Sequence, residues 1–261
     1  MIITYHRPHS LEEALTLLNQ PNRIPLGGGT LLSKPATDPV EVVDLQALNL
    51  DSITKSGNNP STGSGQRLEL GATVTLQQLL ESVHCPEALK SALKLEAPLN
   101  IRNTATVAGT LVACDGRSTF ATVMLALDAK LEIRKSGDES QILTIGEFLP
   151  LRPRGLITSI NLPLNVKLDF EYLSRTPADK PIVCAALAQW NSGRTRLALA
   201  ATARSPCWPW TAPKQKVPRP PLATPSTRQL MNMPVPNIAW MSPPHWRRDV
   251  WSAWRSNYGN R

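Results

Sequence analysis

Through the first 200 residues, apolar positions recur at helical or strand period in short, well-bounded runs. Leu11, Ala14, Leu15 and Leu18 stand at i, i+3, i+4 and i+7 behind Ser10-Leu11-Glu12-Glu13. This predicts an amphipathic helix over 11–19 with a reciprocal cap between Ser10 and Glu13, ended by Pro21-Asn22. Strands are expected at Arg23–Leu26 and Glu41–Leu45, making with the helix a small βαβ unit of right-handed crossover. Ile53–Ser56 and Leu68–Ala72 read as strands joined by the Gly/Ser/Asn-rich loop 57–66. Thr75-Leu76-Gln77-Gln78 is a second capping box, opening a helix to about Val83. Pro86 suits the first turn of another, with Ala88, Leu89, Ala92, Leu93 and Leu95 for its buried side.

Further along, Ile101–Thr110 reads as a turn and strand. Residues 119–128 (TFATVMLALD) predict a helix that is apolar nearly all round. Lys130–Lys135 and Gln141–Ile145 suggest a hairpin, Leu156–Leu162 and Lys167–Ser174 strands. Ile182–Trp190 and Arg194–Ala200 form a second hairpin across Asn191-Ser192-Gly193. Strands interspersed with helices in this way give an α+β chain.

After residue 200 no periodicity lasts eight residues. Residues 201–261 hold 11 of the 24 prolines and six of the seven tryptophans. They also hold seven Arg and two Lys against one acid, Asp249, and so carry the entire net charge of +8. The first 200 residues are neutral, so the charge does not mark the body as a nucleic-acid binder. The tail is expected to be disordered. Its abrupt change in composition resembles translation in a wrong reading frame, and this is favoured over a genuine basic arm. A rival reading interleaves Arg with Trp as single-strand nucleic-acid binders do, without an accompanying module.

No apolar run approaches the roughly 20 residues of a membrane span, and the N-terminus lacks the basic and apolar regions of a secretory signal. A cytoplasmic location is expected. Cys85, Cys114, Cys184 and Cys207 lie far apart without a CxxC pair, so buried free thiols are expected and no metal site. His6, His9, His84 and His245 are scattered, and no catalytic residue is expected.

Two loops carry chemistry. In Leu26-Gly27-Gly28-Gly29-Thr30-Leu31-Leu32, three glycines at a strand end allow positive φ and close backbone approach. Successive amides can then form a nest for an anion such as a diphosphate, with Thr30 adding a hydroxyl. Neither the Walker pattern nor G-x-G-x-x-G is present; a plain tight turn is the simpler reading of this loop alone. The second segment, Thr106-Val107-Ala108-Gly109-Thr110-Leu111 continuing through Cys114–Thr119, offers hydroxyls from Thr106, Thr110 and Ser118. Gly109 permits close approach, and Asp115 can accept bonds from a ribose or ribityl chain.

Taken in order, these segments resemble the FAD-binding subunit of the molybdenum hydroxylases, the family of the aerobic carbon monoxide dehydrogenase medium subunit and the xanthine dehydrogenase flavin domain. Tyr5-His6-Arg7-Pro8-His9-Ser10-Leu11-Glu12-Glu13-Ala14-Leu15 is similar to its opening Y-x-R-P-x-S-L-x-E-A-L. Gly27–Leu32 is similar to A-G-G-T-D-L-L. Val42–Leu45 and Leu70–Thr75 match the next landmarks. Ile101-Arg102-Asn103 with Thr106–Thr110 resembles I-R-N-x-x-T-x-G-G-N, Ala126–Ala129 follows, and Ile157–Pro163 resembles I-x-x-I-x-L-P. The resemblance covers roughly residues 1–200.

It implies a two-subdomain FAD-binding fold of the vanillyl-alcohol-oxidase-like type, followed by a truncated C-terminal α/β subdomain. The FAD-binding domain would span 1–165, with a βαβ subdomain over about 1–50 and a larger one over about 51–165. Residues 166–203 would be the incomplete subdomain and 204–261 the aberrant tail. Leu26, Gly27, Gly28, Gly29, Thr30, Leu31 and Leu32 would wall the FAD diphosphate. Thr106, Gly109, Thr110 and Leu111 would form the second wall, Ser118 a polar contact, and Thr158 would lie beside the isoalloxazine. The implied partners are a molybdenum–pterin large subunit and an iron–sulfur small subunit. Electrons would pass through FAD to NAD, a quinone or oxygen.

The chain departs from the family pattern at four places. Leu31 replaces the common Asp, Ala108 a glycine, Thr110 the usual Asn, and Thr119 an Asp whose role Asp115 would assume. The alternatives are a stand-alone flavin oxidoreductase of related fold and, ranked lower, a nucleic-acid-binding protein acting through its tail.

Overall fold

The computed structural model describes residues 2–33, 39–57, 66–135, 139–177, 179–201 and the backbone of 207–211. The chain opens with strand β1 (Ile2–His6), then helix α1 (Leu11–Leu18), β2 (Arg23–Leu26) and β3 (Val40–Asp44). Ser10 caps α1 by accepting the Glu13 amide at 3.2 Å, and the Glu13 carboxylate reaches back to the His9 amide. The three strands form a parallel sheet in the order β1-β3-β2. The βαβ unit thus includes a first strand beyond those the periodicity marks. On this sheet Glu41 accepts from Arg23 Nε at 2.7 Å and pairs with His6 Nε2 at 3.1 Å.

The central sheet contains β4 (Ile53–Ser56), β5 (Arg67–Gly71), β6 (Lys130–Arg134), β7 (Ser140–Thr144) and β8 (Leu156–Pro163). Its order is β4-β5-β8-β6-β7, antiparallel throughout. Between β5 and β6 run α2 (Leu76–Glu81), α3 (Glu87–Glu96), α4 (Leu99–Arg102), α5 (Val107–Ala113) and α6 (Thr119–Ala126). Thr75 and Gln78 form the expected capping box of α2. α7 (Ile145–Leu151) leads from β7 toward β8.

All eight residues of α6 are buried. It packs between α3 and a second antiparallel sheet made of β9 (Val166–Leu173), β10 (Val183–Trp190), β11 (Thr195–Ala200) and β12 (Cys207–Thr211). The inner face of that sheet carries Cys184, Ala186, Ala188, Ala198 and Ala200, small side chains that admit a helix closely. Burying Phe120, Met124 and Leu125 contributes about 2 kcal/mol each, which explains an apolar surface on every side of α6. Leu173, Val183, Leu187 and Leu199 on the outer face remain 40–64% exposed.

Two expectations need correction. The segment 101–110 is not a turn and strand but the end of α4 and the start of α5. Thr106 caps α5 by accepting the Gly109 amide at 3.1 Å, a local bond that outweighs the strand preference of Thr and Val. α7 is an additional helix where the periodicity marks none, and Thr144-Ile145-Gly146-Glu147 opens it with a capping box: the Glu147 carboxylate accepts from the Thr144 amide at 2.8 Å. Within the tail, Cys207–Thr211 extends the second sheet along β11 in an edge position, where Pro209 is tolerated. The disorder expected for the remainder of 204–261 falls outside the described residues.

Candidate functional site

The Gly27–Leu32 loop leaves the C-terminal end of β2 and turns back on itself. Gly29 adopts φ +69, and both the amide and the hydroxyl of Ser33 donate to the Gly29 carbonyl, at 2.9 and 2.8 Å. None of the amides from Gly28 to Leu32 has a hydrogen-bond partner among the described residues. The loop is held by contact with the segment before α5. A Cβ on Gly28 would overlap the Thr104 carbonyl, and one on Gly27 would stand 2.9 Å from Thr106 Oγ1. Glycine is required there so that two backbones can touch.

Together the loops border a cavity of about 330 Å³, a size suited to part of a dinucleotide. Gly27, Gly28, Gly29, Thr30, Leu31 and Leu32 line it on one side and Thr106 and Gly109 on another. The remaining expected residues lie elsewhere. Leu26 ends β2, where its carbonyl accepts the Leu45 amide. The Thr110 hydroxyl donates to the Thr106 carbonyl at 2.8 Å, and Leu111 is buried in the core.

Ser118 is fully buried. It accepts the Ala121 amide at 3.1 Å as the cap of α6 and donates to Glu96 Oε2 at 2.9 Å. The same Glu96 oxygen accepts from the Thr119 hydroxyl and the Phe120 amide. Asp115 accepts the Arg117 amide and pairs with Lys180 Nζ at 3.1 Å, outside the cavity. Thr158 lines a separate recess of about 230 Å³ with Leu11, Asn49 and Ser159, while its neighbour Ile157 faces the main cavity.

The sequence pattern did not single out the rest of the wall. Ala72 and Thr73 follow the Leu70-Gly71 landmark and line the cavity with Val112, Phe148, Leu156 and Ile157. The connector Arg152-Pro153-Arg154-Gly155 closes another side. Arg152 is left-handed at φ 38; its guanidinium donates to the carbonyls of Val112 and Cys114, closing the end of α5. Only tertiary proximity brings this connector to the loops, so no local signal marks it. Among the described residues, no group of His, Cys, Asp and Glu is placed to hold a metal, and no helix is long and apolar enough to cross a membrane.

This architecture has known counterparts. Carbon monoxide dehydrogenase from Oligotropha carboxidovorans superposes with a TM-score of 0.67 at 24% identity, covering 79% of this chain and 77% of that one. Quinoline 2-oxidoreductase from Pseudomonas putida 86 gives 0.66 at 22% identity, covering 78% and 75%. In sequence, YgfM of Escherichia coli K12 is 29% identical over 204 residues, 76% of this chain and 74% of that protein. Aldehyde oxidase 2 of Cavia porcellus is 24% identical over 189 residues, 66% of this chain and 14% of that protein. Residues 1–165 match the family described as the FAD binding domain in molybdopterin dehydrogenase. With that match spanning most of the chain, this protein belongs to the FAD-binding family of the molybdopterin dehydrogenases.

Proposed function

We propose that the chain is the FAD-binding electron-transfer subunit of a molybdenum-dependent hydroxylase, working with a molybdenum–pterin large subunit and an iron–sulfur small subunit. Electrons would leave through FAD to NAD, a quinone or oxygen. FAD, when bound, supplies the exchange between one-electron and two-electron chemistry. The chain's own residues bind and orient it.

The observation that carries this reading is the run of amides from Gly28 to Leu32 beside the cavity, which have no partner among the described residues. Amides turned by a residue at φ +69 suit an anion, and a diphosphate is the anionic part of FAD. The departures from the family pattern leave this feature intact. Leu31 contributes its amide whatever its side chain. Thr110, in place of the usual Asn, spends its hydroxyl on the Thr106 carbonyl and leaves the backbone of the first loop as the main holder. Thr106 and Gly109 would supply the second wall, and Leu156 and Ile157 an apolar surface for the ring system.

The test is to purify the chain with FAD and record its visible spectrum and bound-flavin stoichiometry. One FAD per chain is expected. A folded chain, judged by circular dichroism, that takes up no flavin would overturn the proposal. The electron route is tested by mixing the FAD-loaded chain with reduced partner subunits under anaerobic conditions and following flavin bleaching.

A further inference from the structure

The cavity contains an unusual imbalance of charge. Among its described lining residues there is no carboxylate, and the charged side chains are Arg152 and Arg154 alone. Arg152 is committed to the fold through the carbonyls of Leu149, Val112 and Cys114. Arg154 makes no ion pair or hydrogen bond among the described residues, and it is exposed at the cavity wall.

The backbone holds Arg154 there. Arg152 is fixed in the left-handed region by its helix-closing bonds, and Pro153 restricts its own φ. Gly155 sits at φ +148, where a Cβ would collide with Ile133 Cγ2 and stand 3.0 Å from the Arg134 carbonyl. The connector is thus pinned at both ends, against α5 on one side and β6 on the other. The pinned backbone fixes where the Arg154 side chain starts and so keeps its guanidinium within reach of the cavity.

From this geometry we infer that Arg154 is the cationic counterpart of the Gly28–Leu32 amides, binding phosphate oxygens of the dinucleotide across the cavity and selecting FAD over riboflavin. This inference rests on the FAD reading above. A guanidinium offers a planar fork of donors that suits phosphate oxygens, and no neighbouring lining carboxylate competes for it. Amides supply partial charge at one wall, and Arg154 supplies a full positive charge at the other.

The experiment uses the full chain and measures dissociation constants for FAD and for riboflavin by flavin fluorescence quenching, at low and at 0.5 M NaCl. The wild type is compared with Arg154→Gln, Arg154→Lys and, as a charge reversal, Arg154→Glu. Arg154→Gln is expected to weaken FAD about tenfold, the scale of one charge-assisted hydrogen bond, and to leave riboflavin unchanged. Arg154→Lys should recover part of the loss and Arg154→Glu should deepen it. The salt dependence of FAD binding should be shallower in Arg154→Gln than in the wild type. Unchanged FAD affinity and salt response in Arg154→Gln would overturn the role of Arg154 alone. Equal weakening of FAD and riboflavin would overturn the phosphate assignment. A wild-type chain that binds neither flavin would instead overturn the underlying FAD reading and this inference with it.

Discussion

Gly28 lies directly against the carbonyl oxygen of Thr104, leaving no room for a Cβ between the two backbones. This contact joins the loop after β2 to the turn before α5, and it makes Gly28 a packing residue as well as a member of the loop proposed to bind the diphosphate. Replacing Gly28 by Ala should therefore lower the melting temperature by several degrees, since forcing a methyl into filled space costs roughly 1–3 kcal/mol. Gly29→Ala meets Leu26 Cδ1 at 3.3 Å and a left-handed backbone, a milder strain. Thermal unfolding of the two variants should place Gly28→Ala below Gly29→Ala; the reverse order would remove the backbone contact from the account.

Ser118 should separate stability from flavin binding. Its hydroxyl is buried between Glu96 and the first turn of α6. Ser118→Ala should cost about 1 kcal/mol of stability, as loss of a helix cap does, with the FAD dissociation constant unchanged. Urea unfolding and a flavin titration on the same preparation check both halves. A large loss of FAD affinity at unchanged stability would place Ser118 in the cofactor site.

Glu96→Ala should be more damaging than Ser118→Ala. Its carboxylate serves the Ser118 and Thr119 hydroxyls and the Phe120 amide, with Lys180 Nζ 3.9 Å from its other oxygen. Removing it strands two donors in a buried setting, the Ser118 hydroxyl and the Phe120 amide, while the Thr119 hydroxyl keeps the Ala92 carbonyl at 2.7 Å; a cost of about 2–4 kcal/mol is expected. The measurement is the urea midpoint at constant m-value; a midpoint close to wild type would show that water replaces the carboxylate.

Acid should loosen the small sheet through Glu41. The Arg23 hydrogen bond, and after it that of His6, holds this carboxyl below its ordinary value near 4.5. A depressed folded value contributes stability above the unfolded value, and that contribution disappears as pH falls through the folded one. Melting temperatures between pH 3 and 7 should fall less steeply at the acid end in Glu41→Gln than in the wild type. Parallel curves would refute the linkage.

The buried thiols should be silent in the folded chain. Burial pushes Cys85 up to about 12 and Cys114 up to about 11, and it raises Cys184 as well. In a Cys207→Ser variant, Ellman's reagent at pH 8 should label none of the three rapidly until denaturant is added, because only the accessible thiolate reacts. Rapid labelling of any of them would mean that the core opens readily.

How much was legible in sequence depended on the range of the interactions. Ser10 with Glu13 and Thr75 with Gln78 were readable because capping acts over three residues. The burial of α6 was readable because apolar residues cover every side of it. Ile101–Thr110 was misread because Thr, Val and Gly favour extended backbone until one hydroxyl, that of Thr106, captures the Gly109 amide. Ser118 and Thr110 were placed by the family's pattern in the cofactor wall. Their hydroxyls are hydrogen-bonded to Glu96, 22 residues earlier in the chain, and to the Thr106 carbonyl, partners that no local spacing reveals for Ser118.

By itself the sequence determined the alternation of elements, the glycine loop and the family, since each rests on local spacing or on landmarks in order. Only the tertiary structure decided which residues enclose the cavity. Gly28 meets Thr104 across some 76 positions and the Arg152–Gly155 connector arrives from still farther along the chain, held there by α5 and β6. Such proximity depends on where the strands and helices pack, and close packing leaves no trace in the local spacing of either segment.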